Sequence, residues 1–171
     1  MYSYGKVRQA LEAGDKSGGR DRLFAEAKDG RKWREIRERD VYRQMAEPIR
    51  ELGRRYRSEP VASLPYSAYR LFETTGSRIE YEQLYFSRRK RLAVLAFLGL
   101  LDGDEGTLRA LEDTIWAICD EYTWCLPAHL GGASLDPAND RHRFTIDLFA
   151  AETGFYLAEI THLLEEQLSP L

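Results

Sequence analysis

The run Tyr122-Thr-Trp-Cys-Leu-Pro-Ala-His-Leu130 brings two aromatic side chains, a thiol, a proline and a histidine together in one short stretch. Just upstream, Ile115, Ile118, Cys119 and Tyr122 recur at helical spacing. Pro127 has no backbone N–H and disfavours helix at Leu126, so the helix is expected to end near Trp124. Gly131-Gly132 and Asp136-Pro137 then read as loop until Thr145, where helical periodicity resumes. Trp124 and His129 thus fall on a helix–loop boundary, where side chains can reach a ligand without being locked into a core stripe.

Other groupings offer less chemistry. Glu159-Ile-Thr-His162 has the spacing used in di-iron carboxylate bundles, but there is no second Glu-x-x-His to complete such a site. Asp120 and Glu121 are adjacent on a helix, so their carboxylates diverge by about 100°. Cys119 and Cys125 match no zinc-ligand spacing and read as buried thiols in a reducing compartment. Neither a phosphate-cradling loop nor a nucleophile elbow is present, and no metal or cofactor is expected.

Long helices must position the loop. Residues 1–19 are polar and carry Gly14, Gly18 and Gly19, which predicts a flexible lead-in before a helical domain over residues 20–171. From Asp21 to about Tyr56, Leu23, Phe24, Trp33, Ile36, Val41, Met45, Ile49 and Leu52 mark one or two amphipathic helices, broken near Asp29-Gly30 and bent near Pro48. Ser58–Pro65 should be extended. A short apolar element with Tyr69, Leu71 and Phe72 should end at Gly76, followed by a helix from about Ile79 to Leu101 with Tyr81, Leu84, Tyr85, Leu92, Leu95 and Leu98 inside. The Arg88-Arg89-Lys90-Arg91 run reads as an exposed part of that helix. After an Asp102–Gly106 turn come helices over Thr107 to Tyr122 and Thr145 to Gln167. The last has Ile146, Phe149, Ala150, Thr153, Leu157, Ile160, Leu164 and Leu168 inside. No strand-like alternation competes, so the class is all-α, built of antiparallel helical hairpins as in a bundle, a solenoid or an α/α toroid.

With 171 residues, a single core of ordinary size is expected. The longest apolar run, Leu92–Leu101, is about half of the ~20 residues that span a membrane, and the N-terminus lacks a signal-peptide core. A soluble, cytoplasmic protein is the expectation, unless an export signal has been removed. Net charge is −3, but residues 31–57 hold ten Lys or Arg against five Asp or Glu, whereas residues 99–171 hold three against fourteen. Packing of the two halves on each other, or solvated helix faces, is preferred to an acidic partner. No DNA-binding motif supports a nucleic-acid partner.

Tyr69, Phe72, Gly76, Arg78, Tyr81-Glu82, Tyr85-Phe86, Arg88-Arg89 and Leu92 resemble the N-terminal part of the heparinase II/III-like polysaccharide lyases. Glu121-Tyr-Thr-Trp-Cys-Leu-Pro-Ala-His129 and Ile146-Asp-Leu-Phe-Ala-Ala-Glu-Thr153 resemble that family more closely still. The likeness covers roughly residues 31–171. It implies an incomplete α/α toroid around a cleft for an acidic polysaccharide, within enzymes that cleave uronic-acid glycans by β-elimination. The family's catalytic Asn motif, Tyr and His come downstream of the helix that ends this sequence, so no position here inherits those roles. The resemblance therefore implies glycan-binding walls rather than catalytic groups, with a homo-oligomer or the missing C-terminal part of the enzyme as further partners.

On that basis Trp124 and Tyr122 could stack on a sugar ring, against the alternative that both pack at the helix end. His129 could donate to a sugar carboxylate or hydroxyl, or instead bond backbone in its turn. Asp147 should cap the last helix or hold the Trp124 loop, with direct sugar contact second. Glu121 completes the expected substrate-binding set. The rival reading is a non-enzymatic helical interaction or oligomerisation module.

Overall fold

The computed structural model describes residues 3–15, 24–130 and 145–170. Among them are seven α-helices: α1 (Tyr4–Asp15), α2 (Gly30–Glu38), α3 (Asp40–Ser58), α4 (Tyr66–Thr75), α5 (Ile79–Leu101), α6 (Glu105–Cys119) and α7 (Leu148–Leu164), with a 3-10 turn at Pro127–His129. The described residues contain no strand, and the class is all-α. No helix among them is long and apolar enough to cross a membrane.

Helix α5 is the axis of the fold, packing against α2, α3, α4, α6 and α7. Glu80 and Glu82 lie in its first turn, where carboxylates complement the helix dipole. Tyr81, Tyr85, Leu92, Leu95 and Leu98 are buried along it as the periodicity predicts, while Leu84 is only partly buried. At its end Gly103 adopts φ 65° and returns its N–H to the Leu98 carbonyl. Asp104 then caps α6 by accepting from the Thr107 N–H, so a three-residue turn folds α5 and α6 into a hairpin. Gly76, at φ 77°, closes α4 through the Phe72 carbonyl.

Part of the uneven charge is paired within the molecule. Arg50 of α3 makes a bidentate pair with Asp102 at 2.9 Å, Arg57 reaches Asp104, and Arg37 of α2 donates to the Leu101 carbonyl. The basic stretch thus clamps the acidic α5–α6 turn.

Several expectations need correction. The arginine run is not an exposed turn: Arg91 is buried at 6% exposure, Arg88 and Arg89 are nearly so, and only Lys90 faces solvent. Arg91 donates to Thr114 Oγ1 and the Glu59 carbonyl, and Arg88 to the Ala62 carbonyl, so these side chains clasp the extended segment between α3 and α4. Cys119 is exposed, because the helix ends there and turns its last side chain out; Cys125 alone is buried. Val41, Met45 and Ile146, assigned to inner stripes, are exposed. Pro48 lies inside α3, and the break before it falls at Arg39 as well as Asp29. Helix α1, within residues 1–19, has its described side chains exposed and is no correction to the expected lead-in. Leu23 and the 131–144 loop lie outside the described residues.

Candidate functional site

The carbonyl oxygens of the last turn of α6 lack helical partners, and side chains join the Glu121 N–H in satisfying them. Arg88 Nη1 donates to the Ala117 carbonyl at 2.9 Å, and Trp124 Nε1 to that of Ile118 at 2.8 Å. The helix stops at Cys119 rather than near Trp124. Trp124 packs against the main apolar core and over Gly154 and is partly buried there.

Glu121 follows immediately, and its side chain is only 2% exposed. Arg89 binds both carboxylate oxygens at 2.6 Å and Arg88 approaches one of them at 3.0 Å. The Arg89 guanidinium also lies 3.6 Å from the Tyr85 ring centroid. Tyr85 donates its hydroxyl to the Trp124 carbonyl at 2.8 Å and lies 3.3 Å from Thr153 Oγ1. Helices α5 and α7 therefore grip the loop through one polar network. Glu121, expected at a sugar, is instead enclosed by these arginines, since a buried carboxylate is tolerable only when paired in this way.

The second anchor is Asp147, the N-cap of α7. Its Oδ1 accepts from the Ala150 N–H at 2.7 Å, and its Oδ2 accepts from the Leu126 N–H at 3.1 Å. Oδ2 also lies 2.6 Å from His129 Nδ1. Burial acts to raise this carboxyl, but the Ala150, His129 and Leu126 hydrogen bonds together outweigh it and hold the group below the ordinary carboxylate range. An ionised carboxylate only accepts, so Nδ1 carries the proton of this contact. The imidazole stacks on Phe149 at 5.6 Å, and Phe149 in turn meets Phe86 and Tyr85 edge-on. Cys125 sends its thiol to the Thr145 carbonyl, and burial pushes that thiol up, away from nucleophilic use at neutral pH.

On the outer side Tyr122 is 72% exposed and meets Tyr69 edge-on, with ring centroids 6.1 Å apart. Burial pushes the Tyr69 hydroxyl up to about 12 and raises Tyr81 further.

Of the five residues expected to touch substrate, the structure joins His129 to Asp147, leaves Tyr122 exposed, holds Trp124 partly buried against the core and encloses Glu121. Tyr85, Arg88, Arg89 and Thr153, which build the support, were not expected as site residues. Their signal was phase: Tyr81, Tyr85, Arg88, Leu92 and Leu95 are spaced by four and three, placing Arg88 on the inner stripe. Among the described residues no group of three or more His, Cys, Asp or Glu is arranged to hold a metal ion. A cavity of about 340 Å³ lies between α2 and the ends of α5 and α7, against Trp33, Arg37 and Gln167, and no residue of the 121–130 loop lines it. No protein-family model matches the sequence, and no curated protein or solved structure is significantly similar to it.

Proposed function

We propose that this chain is the N-terminal portion of a heparinase II/III-like toroid and contributes a glycan-contacting wall rather than the groups that perform elimination. One observation carries the reading. The three separated segments that resemble the family, within residues 69–92, 121–129 and 146–153, meet at the loop through Tyr85, Arg88, Arg89, Glu121, Asp147 and Thr153. In this reading the buried polar network keeps the loop rigid, and rigidity is what a sugar platform needs if binding is not to cost loop ordering. Tyr122 supplies an exposed aromatic surface, and His129, its ring fixed by Asp147, supplies a donor or acceptor for a sugar hydroxyl or a uronate carboxylate.

The test is calorimetric titration of the chain with uronic-acid oligosaccharides, in parallel with Tyr122→Ala and His129→Ala. Binding that both substitutions weaken, without loss of melting temperature, supports the reading. Absence of binding, with no unsaturated uronate chromophore formed by a chain extended with its downstream sequence, overturns it.

A helical interaction module is the second reading. It is favoured by the outer side of α7 and its approach, where Ile146, Leu148 and Phe155 are 78%, 64% and 56% exposed. Concentration-dependent self-association in sedimentation, abolished by Phe155→Glu, would favour it.

A further inference from the structure

Tyr69 of α4 is 7% exposed, and among the described residues its hydroxyl is the buried side-chain polar atom without a hydrogen-bond partner. Native folds leave few such atoms, because the group has surrendered its water without replacing it. Packing does not call for the hydroxyl. The ring is held by edge-on contacts with Tyr81, 5.4 Å away between centroids, and with Tyr122, and a phenylalanine would make both. The titratable groups that act on the hydroxyl are Tyr122, Cys125, Glu73 and Tyr66. Tyr66, three residues before Tyr69 on α4 and so on the same helix face, is 63% exposed, and Tyr122, which meets the Tyr69 ring edge-on, is 72% exposed.

We infer that Tyr69, Tyr66 and Tyr122 form a sugar subsite in which a ring hydroxyl of the bound glycan makes the hydrogen bond that the fold leaves unmade at Tyr69. This assignment rests on the glycan-binding reading above. The two exposed rings supply apolar faces for the sugar's C–H surfaces, and the phenol beneath supplies one directional polar contact. Few oriented polar groups among apolar walls are the usual composition of a small-ligand site. Burial keeps the phenol protonated at neutral pH, so it can both donate to and accept from an alcohol. Tyr122 meets Tyr69 edge-on from a loop position, and the subsite requires that this ring turn aside when a ligand reaches the phenol.

The decisive variant is Tyr69→Phe, which preserves the ring and removes the oxygen. If the hydroxyl serves a ligand, the variant melts at the same or a higher temperature, because an unpaired buried group has gone. Its affinity for oligosaccharides of heparosan, chondroitin or alginate then falls roughly tenfold relative to the unmodified chain. Unchanged affinity in Tyr69→Phe, with Tyr122→Ala and His129→Ala still weakening binding, would refute the subsite and leave the glycan reading standing. A clear drop in melting temperature would show that the hydroxyl has a structural partner and would also refute it. Failure of the unmodified chain to bind any of the three glycans would remove both.

Discussion

Asp147 Oδ2 lies 2.6 Å from His129 Nδ1, and the same oxygen accepts the Leu126 N–H. One carboxylate therefore caps a helix, pins a loop and sets the orientation of a ring.

Replacing Asp147 with alanine removes the cap of α7, worth about 1 kcal/mol, and strands the buried Leu126 N–H at about 1–3 kcal/mol. The expected loss is about 2–4 kcal/mol, read from urea unfolding. His129→Ala leaves the cap and the Leu126 bond in place and should cost far less. Equal losses from the two substitutions would mean that the imidazole, not the backbone bonds, holds the loop.

The depressed carboxyl of Asp147 makes stability pH-dependent with a definite sign. An unfolded Asp titrates near about 3.9, and the folded group titrates lower, so between the two values the unfolded chain binds more protons. The contribution is complete above the unfolded value and disappears as pH falls through the folded one. Urea midpoints measured from pH 5 downward should fall more steeply for the unmodified protein than for Asp147→Asn. Parallel slopes would assign the acid sensitivity to other groups.

Glu121 neutralises two nearly buried guanidinium groups, so Glu121→Gln leaves excess positive charge in a poorly hydrated place. Breaking a buried pair from one side costs about 3–5 kcal/mol. Exchanging Glu121, Arg88 and Arg89 together for apolar residues of similar size should cost less than the single change. Thermal melts of both variants in one buffer test this, and a milder effect from Glu121→Gln would contradict the burial of the network.

Trp124→Phe keeps an aromatic ring but deletes the N–H that serves the Ile118 carbonyl, and should cost about 1 kcal/mol. Trp124→Ala should cost about 3 kcal/mol through lost packing. Sugar affinity unchanged in the phenylalanine variant would agree with an indole directed at the helix end.

Helices α3 and α5 meet where Gly53 faces Leu98, and a Cβ at residue 53 would stand 2.2 Å from Leu98 Cδ1. Alanine gains about 1 kcal/mol of helix propensity over glycine, while overpacking costs about 1–3 kcal/mol. Gly53→Ala should therefore be neutral to destabilising, and Leu98→Val in the same chain should relieve it. Stabilisation by Gly53→Ala alone would mean that Leu98 turns aside freely.

The course of α5 could be read directly because an unbroken stripe from Tyr81 to Leu98 is bounded by Gly76 on one side and Gly103 on the other. Local chemistry sets those limits. The arginine run could not be read in the same way: four consecutive basic residues look solvated, and the carboxylate that draws two of them inward is at Glu121, more than thirty positions away. Trp124 presented a similar ambiguity, since an indole at a helix end serves a ligand or a carbonyl equally well on sequence grounds. Pro127 limits how far a helix can run but not where it stops, and α6 stops earlier in a tight turn whose Glu121 N–H returns to the Ile118 carbonyl. The His129–Asp147 pairing joins two turns whose separate periodicities carry no information about each other.

The capping of α6 by side chains ties its terminal turn to the cooperative opening of the whole network. A helix end capped by water can fray alone, but here release of the Ala117 and Ile118 carbonyls also frees the Arg88 and Trp124 side chains that meet them. Amide protons of the loop, including the Leu126 N–H held by Asp147, should consequently exchange with solvent as slowly as those of α5. An irregular segment would thus belong to the most protected folding unit of the chain.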